Sequence, residues 1–377
     1  MKVLFLIPSL EKGGIERSLS RVSRGLIEKG NEVILLSNEV SIEGKSYFEE
    51  SINLIQIDTP FSNKRSLFFQ FLNCLFLFFK FKKIINKNNI DIILAAKNFP
   101  LAIFLKTFST NKFKLILREA VDPYVAAKNQ RFFITRKIII FLKKKLYPRA
   151  DKVIAISEGV RNSLIENFNF PSKKIDVIYN PAADNRILKL SEEKTENYTF
   201  DGYTFINIGR LAKQKDQLTL LKAFKITLDK FKCNLIIIGE GTERNNLERY
   251  IAENSLEKNV KLLGYQSNPW KYLSKSNLFV LSSIWEGFGN VIVESMALGI
   301  PVISSNCKSG PSEILENGRY GQLYNIHDYN KLSELMINEI NSNNLYGKIS
   351  FAKKRSDDFT ILKITNNYIK SFESLLT

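Results

Sequence analysis

Short apolar runs and helical periodicities take turns along this chain. Val3–Ile7 is a continuous apolar run of strand length, and Ile15, Leu19, Val22 and Leu26 then recur at the spacing of a buried helix face. Gly30 closes that helix as a C-terminal cap. Val33–Leu36, Ile90–Ala95, Leu115–Leu117 and Val153–Ile156 predict further strands. The pattern restarts at Thr204–Ile208 and continues through Asn234–Ile238, Val260–Leu263, Leu278–Leu281 and Val302–Ser304, with a helix over Val291–Leu298. Continuously apolar strands with helices between them specify parallel sheets covered on both faces. The expected fold is therefore α/β, with two Rossmann-like, doubly wound domains facing across a cleft. The first domain is expected over 1–182 and the second over 199–358. Tyr179–Asp184 and the polar run Ser191–Tyr198 read as their connection, and a last helix over about 359–377 is expected to return to the first domain.

At 377 residues and 44% hydrophobic content, the chain can build two cores. Its first apolar run is too short for a signal peptide and reads as a buried strand. Cys74, Cys233 and Cys307 are too scattered for a disulfide framework or a zinc site, which fits a reduced cytoplasmic location. His327 is the only histidine, so a His-rich metal site is excluded and a histidine-based triad would have to use this one residue. Its expected role is structural or solvated.

The net charge of +17 is uneven. Residues 1–180 hold 30 Lys/Arg against 16 Asp/Glu, a net of +14, and the remainder holds 25 against 22, a net of +3. Nucleic acid and an anionic membrane surface both suit that basic half. Two basic-aromatic stretches lie within it. Leu67–Phe81, followed by Lys82, Lys83 and Lys87, is too short and interrupted to span a bilayer and reads as a buried helix, with membrane docking as the alternative. Arg131–Arg149 interleaves Phe132, Phe133, Ile138–Leu142 and Leu146 with basic residues, including Lys143, Lys144 and Lys145, in the manner of an interfacial amphipathic helix. A solvated charge run is the plainer reading of the same residues.

The densest chemistry lies in Ser282–Glu294. A strand exit is followed by Glu286, a Gly-Phe-Gly loop, and Glu294 inside the next helix. The N–H groups of Phe288, Gly289 and Asn290 then sit at a helix N-terminus, where a diphosphate is favoured. Two carboxylates nearby can accept hydrogen bonds from sugar hydroxyls, although a first-turn helix carboxylate and a surface salt bridge would read the same way. Gly209-Arg210-Leu211 and Lys215 follow a strand, where open α/β sheets bind ligands and where a fork and a point charge both suit a diphosphate. Lys213 and Asp216 also allow a solvated loop there. Gly13-Gly14 lies between the first strand and helix, as a phosphate or donor-sugar cradle or as a plain tight turn; Glu16 can simply answer the helix dipole.

Gly13-Gly14-Ile15-Glu16-Arg17, Gly209-Arg210-Leu211 with Lys215, Gly239-Glu240-Gly241, the Glu286–Glu294 pair, Gly299-Ile300-Pro301-Val302-Ile303 and Gly310-Pro311-Ser312-Glu313-Ile314-Leu315 occur in one order. In that order and spacing, nearly end to end, the chain resembles the retaining glycosyltransferases of family four, which have the GT-B fold. The resemblance implies that Arg210 and Lys215 neutralise charge on a leaving nucleoside diphosphate. It implies that Glu294 holds ribose hydroxyls and that Glu286 lies by the donor sugar. Relatives often carry a polar or histidine residue near the strand end at Arg118 and Glu119; with no histidine here, Arg118, Glu119 and Asp122 are the acceptor-side candidates.

The expected activity is thus retaining transfer of a hexose or N-acetylhexosamine from a UDP-sugar to a saccharide acceptor, with a polyprenyl-diphosphate carrier, in O-antigen, capsule or glycan assembly. No Asp-x-Asp occurs, so no metal and no cofactor are expected. The expected partners are the UDP-sugar, the lipid-linked acceptor and, through the basic N-terminal domain, the inner face of the cytoplasmic membrane, with no nucleic acid. A GT-B-fold sugar-nucleotide 2-epimerase and a non-enzymatic basic lipid- or nucleic-acid-binding protein are the alternatives. The first lacks a use for the Glu286–Glu294 pattern, and the second leaves Arg210, Lys215 and Glu294 without a purpose.

Overall fold

The structure is a computed structural model that describes all residues except 12, 51, 61–66, 98, 130–132, 197–200 and 343–345, and it does not describe the side chains of 67–71, 74, 342 and 346. Arg131, Phe132 and Tyr198 of the stretches named above therefore lie outside the described residues, as do the side chains of Leu67 and Cys74. Two compact units are formed, Met1–Pro181 with Ile361–Thr377, and Ala182–Thr360.

In the first unit, β1 (Lys2–Leu6), β2 (Glu32–Ser37), β3 (Asn53–Gln56), β4 (Ile92–Ala96), β5 (Lys114–Glu119), β6 (Lys152–Ala155) and β7 (Ile175–Val177) form a parallel sheet in the order β3-β2-β1-β4-β5-β6-β7. Phe5 stands opposite Leu35 on one side and Leu94 on the other, so an unbroken apolar row crosses the sheet centre. The chain leaves β1 toward β2 and β3, then returns to build the other half. Right-handed crossovers consequently put α1 (Gly14–Glu28) on one face, and α2 (Leu67–Asn88), α3 (Phe99–Phe108) and α5 (Phe133–Leu146) on the other. The short α4 (Pro123–Lys128) precedes α5.

The C-terminal helix Ile361–Leu376 packs on α1. Their approach is close at Gly25, where a Cβ would come within 2.1 Å of Thr365 Oγ1. Ile364, Tyr368 and Phe372 join Leu19, Val22 and Leu26 in one buried cluster. Gly30 has φ +76, and its N–H donates to Ile27 O at 2.9 Å, which is the left-handed stop its position demands.

In the second unit, β8 (Tyr203–Ile208), β9 (Cys233–Ile238), β10 (Val260–Leu262), β11 (Leu278–Leu281), β12 (Val302–Ser305) and β13 (Gln322–Tyr324) form a parallel sheet in the order β10-β9-β8-β11-β12-β13. Winding reverses between β8 and β11, which is where such sheets open a crevice. The segment read as a connection is largely part of this unit. It carries α6 (Asn185–Ser191), capped by Asp184, and Asn268 Nδ2 donates to Leu190 O at 2.7 Å while Tyr272 OH donates to Glu196 O at 2.9 Å. The later helices that matter for the site are α7 (Gln217–Leu228) and α8 (Asn290–Ala297).

Candidate active site

At the reversal point of the second unit, four loops meet backbone to backbone. A Cβ on Gly239 (φ +147) would lie 2.0 Å from Gly209 O, and one on Gly310 (φ +91) would lie 1.9 Å from Phe288 O. Only glycine fits at either place, so the Gly-Glu-Gly and Gly-Pro-Ser sequences are spacers for the loops after β8 and β11.

Those loops carry Lys215 and Glu286, which form an ion pair with both side chains mostly buried. The Lys215 stem lies over Gly209, where a Cβ would meet its Cε at 3.4 Å. Glu286 Oε1 also accepts from Ser283 Oγ at 2.6 Å. The loops are stitched together by Ser282 Oγ to Lys215 O, Gln214 Nε2 to Trp285 O and Ile284 N to Gln214 O, each 2.8 Å. Lys215 is thereby aimed by a fixed backbone, unlike a solvated lysine. Arg210 is exposed, and its guanidinium has no ion-pair partner among the described residues. An anion arriving here meets one held cation and one available one.

Gly289, with φ +107, is the N-cap of α8, so the first-turn N–H groups of Asn290 onward open the helix beside this loop. The Phe288 side chain points the other way, buried edge-on against Phe359 with centroids 5.4 Å apart. Glu294 lies one turn into α8, almost wholly buried, and Trp270 Nε1 donates to its Oε2 at 2.9 Å. Beneath the ion pair, burial and the Glu286 charge push the Cys307 thiol up to about 12. It stays protonated at neutral pH and is no nucleophile.

In the first unit, Gly13 is the N-cap of α1 with extended backbone. A Cβ on it would come within 2.7 Å of the Glu16 carboxylate, which curls back over the helix start. Glu16 is buried and takes Lys97 Nζ at 2.7 Å. The space over Gly13 is thus taken by the protein's own carboxylate.

The acceptor-side candidates separate. Arg118 is buried in a latch: its Nε donates to Tyr368 OH at 2.9 Å, and its Nη2 donates to Ser18 Oγ at 2.8 Å and Asn180 Oδ1 at 2.7 Å. Asp122 caps α4, accepting from Tyr124 N, Val125 N and Ser163 Oγ. Glu119 accepts from Lys143 Nζ at 3.0 Å and from Tyr147 OH. Burial, then that carboxylate, raises the Tyr147 phenol well above its ordinary range. Arg118 and Glu119 contribute to a pocket of about 450 Å³, with Lys97, Phe99, Ile139 and Lys143 among its other lining residues.

Sequence reading missed Lys97, Lys143, Ser283 and Trp270. Lys143, taken as part of a basic lipid-facing stretch, is buried, with its ammonium 5.0 Å from the Tyr147 ring centroid. Its i±4 neighbours Ile139 and Tyr147 were the available signal. Of the two roles expected for His327, structural or solvated, its Nδ1 lying 2.7 Å from Asp216 Oδ2 favours the structural one. Among the described residues no group of three His, Cys, Asp or Glu is placed to hold a metal ion.

The second unit thus holds a loop cluster suited to a diphosphate at the reversal point of its parallel sheet, and the first unit's parallel sheet has its own pocket. Residues 12–186 match the family model described as Glycosyltransferase Family 4, and residues 191–355 match that of Glycosyl transferases group 1. The chain belongs to this glycosyltransferase family. It is 30% identical over 374 residues, 98% of each chain, to the N-acetylgalactosamine-N,N'-diacetylbacillosaminyl-diphospho-undecaprenol 4-alpha-N-acetylgalactosaminyltransferase of Campylobacter jejuni. It is 32% identical to an uncharacterised glycosyltransferase of Methanocaldococcus jannaschii, over 77% of this chain and 81% of that one. Among solved structures, HepE of Anabaena in complex with UDP and glucose superposes with a TM-score of 0.77 at 19% identity, covering 99% of this chain and 100% of that one. A glycosyltransferase of Rickettsia africae gives 0.77 at 21% identity, covering 100% and 98%. The fold is accordingly GT-B.

Proposed function

We infer that the chain moves a hexose or N-acetylhexosamine from a UDP-sugar to a saccharide carried on a polyprenyl diphosphate, with retention and without a metal, in surface-polysaccharide or glycan assembly. The observation that carries this reading is the buried Lys215–Glu286 pair beside the α8 N-terminus. Lys215, Arg210 and the first-turn N–H groups supply the positive field that a departing diphosphate requires. Glu294 accepts from the ribose hydroxyls and Glu286 from the donor sugar. The C1–O bond to the diphosphate breaks as the acceptor oxygen bonds C1 on the same face, and the acceptor proton passes to the departing phosphate oxygen. The printed activity of the Campylobacter relative, on a diphospho-undecaprenol-linked saccharide, supports the acceptor class. The basic first half supports action at the inner face of the cytoplasmic membrane.

Titration calorimetry of UDP without metal, into wild type and into Lys215→Ala and Glu294→Ala, tests the donor site. Micromolar binding weakened at least tenfold by each substitution, about 1.4 kcal/mol, is expected. Absence of UDP, GDP and ADP binding to the wild type would overturn the reading.

A further inference from the structure

We propose that Gln217 is a positioning residue of the transferase, clamping the peptide after Arg210 so that the guanidinium is held toward the donor's diphosphate. The proposal rests on the reading of this loop cluster as a UDP-sugar site. It adds a side chain that acts through Arg210 rather than on the nucleotide.

Lys215 and Arg210 are aimed by different means. Lys215 is held through its own side chain, by the Glu286 carboxylate. Arg210 is exposed and its guanidinium has no ion-pair partner among the described residues, so its backbone sets the direction in which it leaves the loop. That backbone is tightly bonded. Gly209 N donates to Ile238 O, Leu211 N to Glu240 O and Glu243 N to Leu211 O, each at 2.9 Å. These three partners come from the end of β9 and the turn after it. The Arg210 carbonyl is reached from elsewhere: Gln217 Nε2, on the first residue of α7, donates to it at 3.0 Å. The peptide between Arg210 and Leu211 is thus held at both ends, its N–H by Glu240 O and its C=O by Gln217. A planar trans peptide held at both ends cannot turn, which sets ψ of Arg210 and φ of Leu211.

Stability alone explains Gln217 poorly. Its side chain is almost wholly buried, and its Oε1 accepts no hydrogen bond among the described residues. A buried carboxamide oxygen left unpaired costs free energy, and an apolar side chain of the same volume would pack there without that cost. What the carboxamide supplies is the bond that orients Arg210. A cation whose bearing is fixed before the nucleotide arrives needs no reorganisation as charge builds on the departing diphosphate.

The test is titration of UDP and of UMP, without metal, into wild type, Gln217→Met, Arg210→Ala and the double variant. Methionine keeps the volume and removes the donor. Gln217→Met and Arg210→Ala should each lower UDP affinity about tenfold, the scale of one hydrogen bond to a charged group, and UMP affinity much less. In the Arg210→Ala background, Gln217→Met should have no further effect on UDP. Each UDP-to-UMP ratio is read on one protein sample, so an unfolded fraction cancels. The urea midpoint of Gln217→Met should stay at the wild-type value or rise.

Full UDP affinity in Gln217→Met overturns the proposal and leaves the donor site standing. Additive losses in the double variant do the same, because Gln217 would then act independently of Arg210. A lower urea midpoint with an unchanged UDP-to-UMP ratio marks a merely structural residue and also overturns it. If Arg210→Ala binds UDP as wild type does, Gln217 has no cation to position and the proposal falls. If wild type binds no nucleoside diphosphate, the donor reading falls and the proposal with it.

Discussion

Asp216 and His327, neither of them glycine, both hold left-handed backbone, φ +45 and +65, and they meet through a 2.7 Å contact between Oδ2 and Nδ1. Thr219 Oγ1 donates to the same carboxylate oxygen at 2.7 Å. One acidic side chain thus joins the turn after Lys215 to the loop after β13, and the side-chain bonds offset the backbone cost at each position.

His327→Gly removes the contact but also the left-handed strain, so its net effect on stability should stay within about 1 kcal/mol. Asp216→Ala keeps the strain and loses both bonds, and should cost about 1–3 kcal/mol. Urea denaturation compares them; wild-type stability in Asp216→Ala would show that its side-chain bonds do not hold the turn.

Trp270 Nε1 fixes a buried carboxylate. Trp270→Phe removes one donor from the buried Glu294 carboxylate and should destabilise the second unit by about 1.5–3 kcal/mol. If Glu294 serves ribose hydroxyls, wild type should prefer UDP to 2'-deoxy-UDP, and that preference should shrink in both Trp270→Phe and Glu294→Ala. Calorimetry with the two nucleotides reads this directly. An unchanged preference would remove Glu294 from the ribose.

Much of this was legible because it is local. Strand exits, the Gly289 cap and the positions of Lys215, Glu286 and Glu294 follow from runs of a few residues, and the structure puts Lys215 and Glu286 in contact. Arg118 was not legible: its partners Ser18, Asn180 and Tyr368 lie 100, 62 and 250 positions away, and a buried arginine at a strand end reads identically as a ligand or as a latch. The glycines at 239 and 310 were recognisable as a pattern, but their cause, a neighbouring carbonyl about 2 Å from any Cβ, exists only in three dimensions.

The Arg118 latch predicts where the C-terminal helix is held. Tyr368→Phe removes an acceptor from a buried guanidinium and should cost about 1.5–3 kcal/mol, with UDP affinity at the second unit unchanged. A drop in melting temperature without loss of UDP binding is the expected pair of results; weakened UDP binding would mean that the residue acts beyond its own unit.

The two described free cysteines make stability fall at alkaline pH. Cys233 and Cys307 are both buried, and burial lifts each thiol from 9.0 to about 12. Above pH 9 the unfolded chain releases these protons while the folded chain keeps them, so fewer protons are bound in the unfolded state and stability declines as pH rises. The contribution is whole below pH 9 and is lost between 9 and about 12. The slope approaches about 1.4 kcal/mol per pH unit for each thiol. Urea midpoints at pH 8, 9 and 10 should therefore fall more steeply for wild type than for Cys233→Ala/Cys307→Ala, even though that variant starts lower through lost packing. Parallel slopes would show that the thiols titrate alike in both states. Iodoacetamide should leave both native thiols unmodified at pH 8 and label them in urea.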